Sequence, residues 1–275
     1  QLDERTREVV QQKEEIEVKN RDITDSLNYA QRIQASILPP IKKLHDAFTG
    51  SFVFYQPRDI VSGDFYWYEQ VDENRFIVVC ADSTGHGVPG AFMSMIGTTL
   101  IKDICLRDGI TRPSQVLTTL DEEVREALNQ NVETSGSNDG MDIIVAEVDM
   151  RTFKITISSA MRPVIIYSGS EQIYVKGSRS SIGGQLDDDR VEKDFIDQEF
   201  QLKKGDIVYM FSDGYPDQFG GPLGRKFKMV RLKNLLRDIH DKPMDEQYNY
   251  IKSNFFLWKE DLEQVDDVLF MGIRI

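Results

Sequence analysis

The chain has 275 residues, 40% of them hydrophobic and 29% charged, a soluble globular balance that can bury a sizeable core in one large domain or two small ones. Its 46 acidic against 33 basic residues give a net charge of -13, which repels nucleic acid and anionic lipid and argues against either as a partner. Cys80 and Cys105 stand in no metal-like spacing, so they read as two buried thiols in a reducing cytosol, not as a disulfide framework or a zinc site. No apolar run approaches the roughly 20 residues that span a bilayer, and no signal peptide is visible.

Residues 1–38 are rich in Glu, Lys, Arg and Gln, lack Pro and Gly, and stop at Pro39-Pro40, which predicts one long helix with a hard end. Leu2, Val9, Ile16, Ile23, Ala30 and Ile37 recur at heptad spacing, so a two-stranded coiled coil, and hence a homodimer through residues 1–38, is expected. The companion seam is weak, because Thr6, Lys13 and Asn20 precede Leu27; that suits a helix whose pairing changes, or an exposed linker helix with one sticky stripe. The chain opens in mid-helix pattern. An upstream region, such as a membrane-tethered sensor, is therefore expected to precede it, with the present part in the cytoplasm.

Beyond the prolines, strands are predicted over 51–57, 64–70, 75–81, 141–149, 153–159, 163–168, 171–175, 195–202, 206–212 and 267–274. Helices are predicted over 89–107, 113–130, 226–239 and 244–259, with Pro113 a favourable first-turn residue. Strand-to-strand connections are short and the helices come in pairs, which favours an α+β sandwich of two antiparallel sheets covered by helices. Residues 133–139 and 183–190 read as loops, and there is no internal repeat. The division expected is a linker helix over 1–40 and a second domain over 41–275.

Asp64, Asp82, Asp213 and Asp266 each adjoin an apolar or aromatic run that reads as a buried strand. Each has a plainer reading alone: Asp213-Gly214 as a turn, Asp266-Asp267 as a solvated strand start, Asp64 as a turn cap. Together, with almost no His or Cys beside them, they suggest an all-oxygen site for a hard divalent cation such as Mg²⁺ or Mn²⁺. Two such ions acidify a water for attack at phosphorus, and no protein nucleophile is needed. Asp82 is the hardest to dismiss, because Ser83, Gly85 and Gly87 could turn backbone carbonyls toward a cation. His86 reads as a hydrogen-bonding post for its loop, Arg58 and Arg162 as surface or ion-pair residues, and the FYWY run at 65–68 as core. Ser212 has no base beside it in a nucleophile-elbow pattern.

The motifs SGDFYW, ADSTGHGVPGAFMSM, NDGMDI, FSDGYPDQFGG and VDDVLF, in that order, resemble the SpoIIE/RsbU-like bacterial protein phosphatases of the metal-dependent type 2C (PPM) superfamily. The resemblance covers residues 45–275, and SLNYAQRIQASILPP resembles the linker helix that precedes this domain. It implies an αββα sandwich holding two Mn²⁺ or Mg²⁺ ions and removing phosphate from phosphoserine or phosphothreonine, usually on a STAS-domain anti-sigma-factor antagonist. By the same resemblance Asp82 bridges both ions, Ser83 offers its carbonyl, and Asp64, Asp213 and Asp266 are ligands. Asp267 would support them, and Asp217 matches a residue linked to a third ion. The helices over 89–107 and 113–130 match a switch that orders the metal site when a partner or the linker helix docks. Two departures stand out: Pro216, and Met161-Arg162 where an Asn/His-containing turn is common. A non-catalytic or switched-off dimeric signalling module of the same fold is the alternative; a two-metal nuclease is disfavoured by the charge and by the lack of a basic groove signal.

Overall fold

The computed structural model describes residues 2–130, 137–184 and 193–275. Of the two predicted loops, residues 133–136 and 185–190 lie outside the described residues.

The helix-forming run at the N-terminus is a single helix, α1 (Leu2–Ile37), ended by the proline pair. Val9, Ile16 and Ile23 of the heptad row lie exposed on it, and the helix packs on the domain through α3 (Gly87–Lys102). After α2 (Ile41–Ala47), the strands β1 (Gly50–Gln56), β2 (Phe65–Gln70) and β3 (Arg75–Ser83) lead into α3. The predicted helix 89–107 is regular only to Lys102; Asp103–Arg107 is a π-helical turn. Then come α4 (Pro113–Ala127), β4 (Gly140–Asp149), β5 (Lys154–Ala160), β6 (Val164–Ser168) and β7 (Glu171–Val175).

The two-residue β8 (Ile182–Gly183) precedes β9 (Gln198–Gln201), which is shorter than the predicted 195–202. The chain finishes with β10 (Ile207–Phe211), the single turn α5 (Gly214–Asp217), the ribbon β11 (Phe219–Gly220) and β12 (Arg225–Lys226), α6 (Lys228–Ile239), α7 (Met244–Lys259) and β13 (Val268–Arg274).

Two antiparallel sheets form, ordered β1-β13-β10-β6-β7 and β2-β3-β4-β5-β9, with β8 on β4. The FYWY strand is buried on both faces. Tyr66 and Tyr68 join the inter-sheet core with Val78, Ile144 and Met271, while Phe65 and Trp67 face Ile101, Val116 and Leu120 of the α3/α4 layer. The outer face of the other sheet packs Tyr209, Phe211 and Phe270 against Leu232, Leu236, Ile251 and Phe255 of α6 and α7. The result is the four-layer αββα sandwich, each fully buried aliphatic or aromatic side chain contributing about 1.5–3 kcal/mol. Cys80 and Cys105 are free and buried, as the sequence suggested. Among the described residues no helix is long and apolar enough to cross a membrane.

Candidate metal centre

The acidic residues gather where strands of both sheets end. In the β3/β4 pair, Asp82 lies directly opposite Asp142. Like charges facing each other in an antiparallel ladder repel, so a nearby cation stabilises the pair. Asp213 stands two residues beyond β10, at the start of α5, and Asp266 and Asp267 precede β13. Aromatic packing fixes this second group: Phe211 stacks on Phe270 at 5.1 Å, and Tyr215, anchored by its hydroxyl to the Ile251 carbonyl (2.8 Å), packs on Phe270 at 5.6 Å. Gly214 of the SDG motif is required by close approach, since a Cβ there would sit 1.9 Å from the Asp267 carbonyl oxygen.

The β1–β2 loop brings in Asp64. Its backbone lies against the loop after β3: a Cβ on Gly63 would meet the Gly85 carbonyl at 2.6 Å, and one on Gly90 would meet it at 2.4 Å. The glycines of SGD and TGHGVPGAF thus let the two acidic loops touch. Asp267, buried, closes the arrangement from the other sheet by accepting the Arg58 amide on Oδ1 and the Gly63 amide on Oδ2, both at 2.7 Å. Ser212 donates from Oγ to Asp64 Oδ2 (2.6 Å) and accepts the Leu269 amide (3.0 Å), so its hydroxyl orients a carboxylate.

Arg162, expected as a surface or ion-pair residue, is central. Arg162 Nη2 lies 3.0 Å from Asp82 Oδ2 and 2.8 Å from Asp142 Oδ2, and Nη1 lies 2.9 Å from Asp213 Oδ2. Asp142 was legible only as part of the NDGMDI motif; Ser181 Oγ donates to its other oxygen at 2.5 Å. At the rim, His86 Nδ1 pairs with Asp59 Oδ2 (2.9 Å), the loop post anticipated for it, and Asp217 pairs with Lys226 (2.8 Å). The Arg58 side chain reaches the Val265 carbonyl at 3.0 Å.

Burial and mutual repulsion raise the carboxyls. Asp82 is pushed up to about 7 by burial, against the pull of Arg162, with Asp213 and Asp266 adding to the rise. Burial and the Asp82 charge hold Asp64 well above the usual carboxylate range, and burial followed by Asp213 raises Asp266. Arg162 is opposed by burial, but the aspartates outweigh it and its pKa lies above the ordinary value.

Among the described residues no three His, Cys, Asp or Glu side chains converge closely enough, as they stand, to hold a metal ion. The donor chemistry nevertheless fits a hard divalent cation. The set is all carboxylate, and Asp82 Oδ2 is buried without an aligned hydrogen bond despite the guanidinium beside it. Ser83 lies between Asp82 and the Gly85 turn, its Oγ likewise buried and unbonded.

Residues 72–275 match the family model described as Stage II sporulation protein E (SpoIIE). The chain is 24% identical over 225 residues to phosphoserine phosphatase RsbP of Bacillus subtilis, covering 81% of this chain and 51% of that protein. It is 32% identical over 160 residues to phosphoserine phosphatase RsbU of the same organism, covering 58% of this chain and 44% of RsbU. The chain therefore spans about half the length of these relatives. Among solved structures, the SiaA-PP2C domain of Pseudomonas aeruginosa superposes with a TM-score of 0.83 at 30% identity, covering 94% of this chain and 98% of that one. The chain belongs to the SpoIIE family and has the PP2C fold.

Proposed function

We propose that this SpoIIE-family domain is a protein phosphatase that hydrolyses phosphoserine or phosphothreonine on a STAS-domain partner in a Mn²⁺- or Mg²⁺-dependent reaction, under control of its N-terminal helix. The observation that carries the reading is the gathering of Asp64, Asp82, Asp213 and Asp266 at the common end of both sheets, in a fold shared with proteins named phosphoserine phosphatases.

Asp82, Asp213, Asp64 and Asp266, with the Ser83 carbonyl, are the groups we assign to the ions. When bound, the ions supply an acidified water for attack at phosphorus and neutralise the phosphoryl oxygens. The chain's own residues orient the ligands. Ser212 fixes one oxygen of Asp64, and Asp267 holds the β1–β2 loop through two backbone amides. The acidic site, with carboxyls that repel one another, also disfavours an anionic substrate until cations are present.

Support for control by α1 comes from Gln34, a buried side chain on a helix that is largely exposed among its described residues. Its Nε2 donates to the Ser62 carbonyl (2.6 Å) and Ser94 Oγ (2.8 Å), and its Oε1 accepts the Ser62 amide (3.1 Å). Ser62 is followed by Gly63, on which Asp267 closes, and by Asp64; Ser94 lies in α3. One amide thus joins the linker helix, the α3 layer and the loop bearing a ligand.

The test is phosphate release from a phosphorylated STAS-domain protein with Mn²⁺. Release that stops on chelation and falls at least a hundredfold in Asp82→Ala is expected, by the scale of lost electrostatic stabilisation. Equal rates for wild type and Asp82→Ala would defeat the enzymatic reading. Equal turnover of an unrelated phosphoprotein would defeat only the STAS assignment.

A further inference from the structure

Arg162 sits on the turn where the chain crosses from one sheet to the other, between Ala160 of β5 and Val164 of β6. The turn is pinned. The Arg162 amide donates to the Ala160 carbonyl (2.8 Å), the Met161 amide to the Ser178 carbonyl (3.1 Å), and Ser159 Oγ to the Arg162 carbonyl. From this base the guanidinium reaches three carboxylates carried by β3, β4 and the turn between β10 and α5.

The contacts are those of a shared charge, not of a matched fork. A bidentate guanidinium–carboxylate pair gives two parallel hydrogen bonds. Here Nη2 is divided between Asp82 and Asp142, Nε is buried with no partner, and Asp82 Oδ2 accepts no aligned hydrogen bond. One guanidinium faces three carboxyl groups. Two of the three, Asp82 and Asp213, are residues assigned above to the divalent ions.

We propose that Arg162 is the chain's own stand-in cation, competing with divalent metal for Asp82 and Asp213, so that metal loading and this three-carboxylate clasp exclude each other. The inference rests on the reading of the site as a divalent-cation centre. In the metal-free chain the guanidinium offsets the repulsion between Asp82 and Asp142 across the β3/β4 ladder and keeps the ends of the sheets together. A doubly charged ion is the stronger counter-charge and displaces it toward the mouth of the site, where its side chain is already 20% exposed.

Calorimetric titration with Mn²⁺ tests this on the intact chain. Arg162→Gln is expected to bind Mn²⁺ about tenfold more tightly than wild type, because a competing unit charge is gone. Its metal-free form should melt at a lower temperature, and its Mn²⁺-induced rise in Tm should be larger. Arg162→Lys keeps the charge but not the reach, and should fall between. In the wild type, whatever the fate of the variants, saturating Mg²⁺ should shift and mobilise the guanidinium NMR signals of Arg162. Unchanged or weaker Mn²⁺ binding in a folded Arg162→Gln, or guanidinium signals that ignore Mg²⁺, would overturn the proposal while leaving the metal centre standing. Wild type that binds no Mn²⁺ would overturn both.

Discussion

Asp82 carries the strongest residue-scale consequence. Its pKa of about 7, raised mainly by burial, lies above the 3.8 of a free aspartate. Between about pH 4 and about pH 7 the folded chain holds a proton that the unfolded chain has released, so folding stability falls as pH rises through that window and levels off above it. Asp64 and Asp266, also raised, act in the same direction. Denaturant unfolding with chelator present should therefore show greater stability at about pH 5 than at about pH 8, with a shallower difference in Asp82→Asn. An unchanged pH difference in Asp82→Asn would show that another group is responsible. The four aspartates were legible in the sequence because each ends or begins a strand-like run. The contacts of Asp142 and Arg162 were not, although both stand in stretches the sequence singles out, because they depend on cross-strand register and on a sheet-to-sheet crossing, neither of which leaves a local pattern.

At the scale of elements, the heptad row of α1 and the site are joined by one residue that the pattern itself hides. Gln34 reads as ordinary helix surface, and only its burial against Ser62 and Ser94 marks it as a connection. The strands were legible from apolar runs, whereas β8, β11 and β12 were not; two-residue ladders are set by tertiary contact and carry no periodicity. The exposed Ile16 and Ile23, at 57% and 59%, are free to pair with a second copy of α1. Ile16→Glu with Ile23→Glu should abolish self-association in sedimentation and change the phosphatase rate. The melting temperature of the sandwich should stay the same, since these side chains are not part of its core. A dimer that persists, or a rate that does not move, would sever α1 from control of the site.

For the whole molecule, the sandwich places one core between its two sheets and one on the outer face of each, and leaves their common edge to the acidic residues. The fold was readable from strand spacing and paired helices; the disposition of the charges within it was not. That edge, rich in carboxylates and served among the described residues by Arg162, forms a site whose charge these described side chains balance incompletely. The most direct test is the number of Mn²⁺ ions that the wild-type chain retains at equilibrium dialysis, measured beside Asp82→Asn and Asp213→Asn. Two ions per wild-type chain, with loss of at least one in each variant, is the predicted result for a two-metal phosphatase centre. Wild type that retains none, or variants that retain as many as wild type, would contradict it.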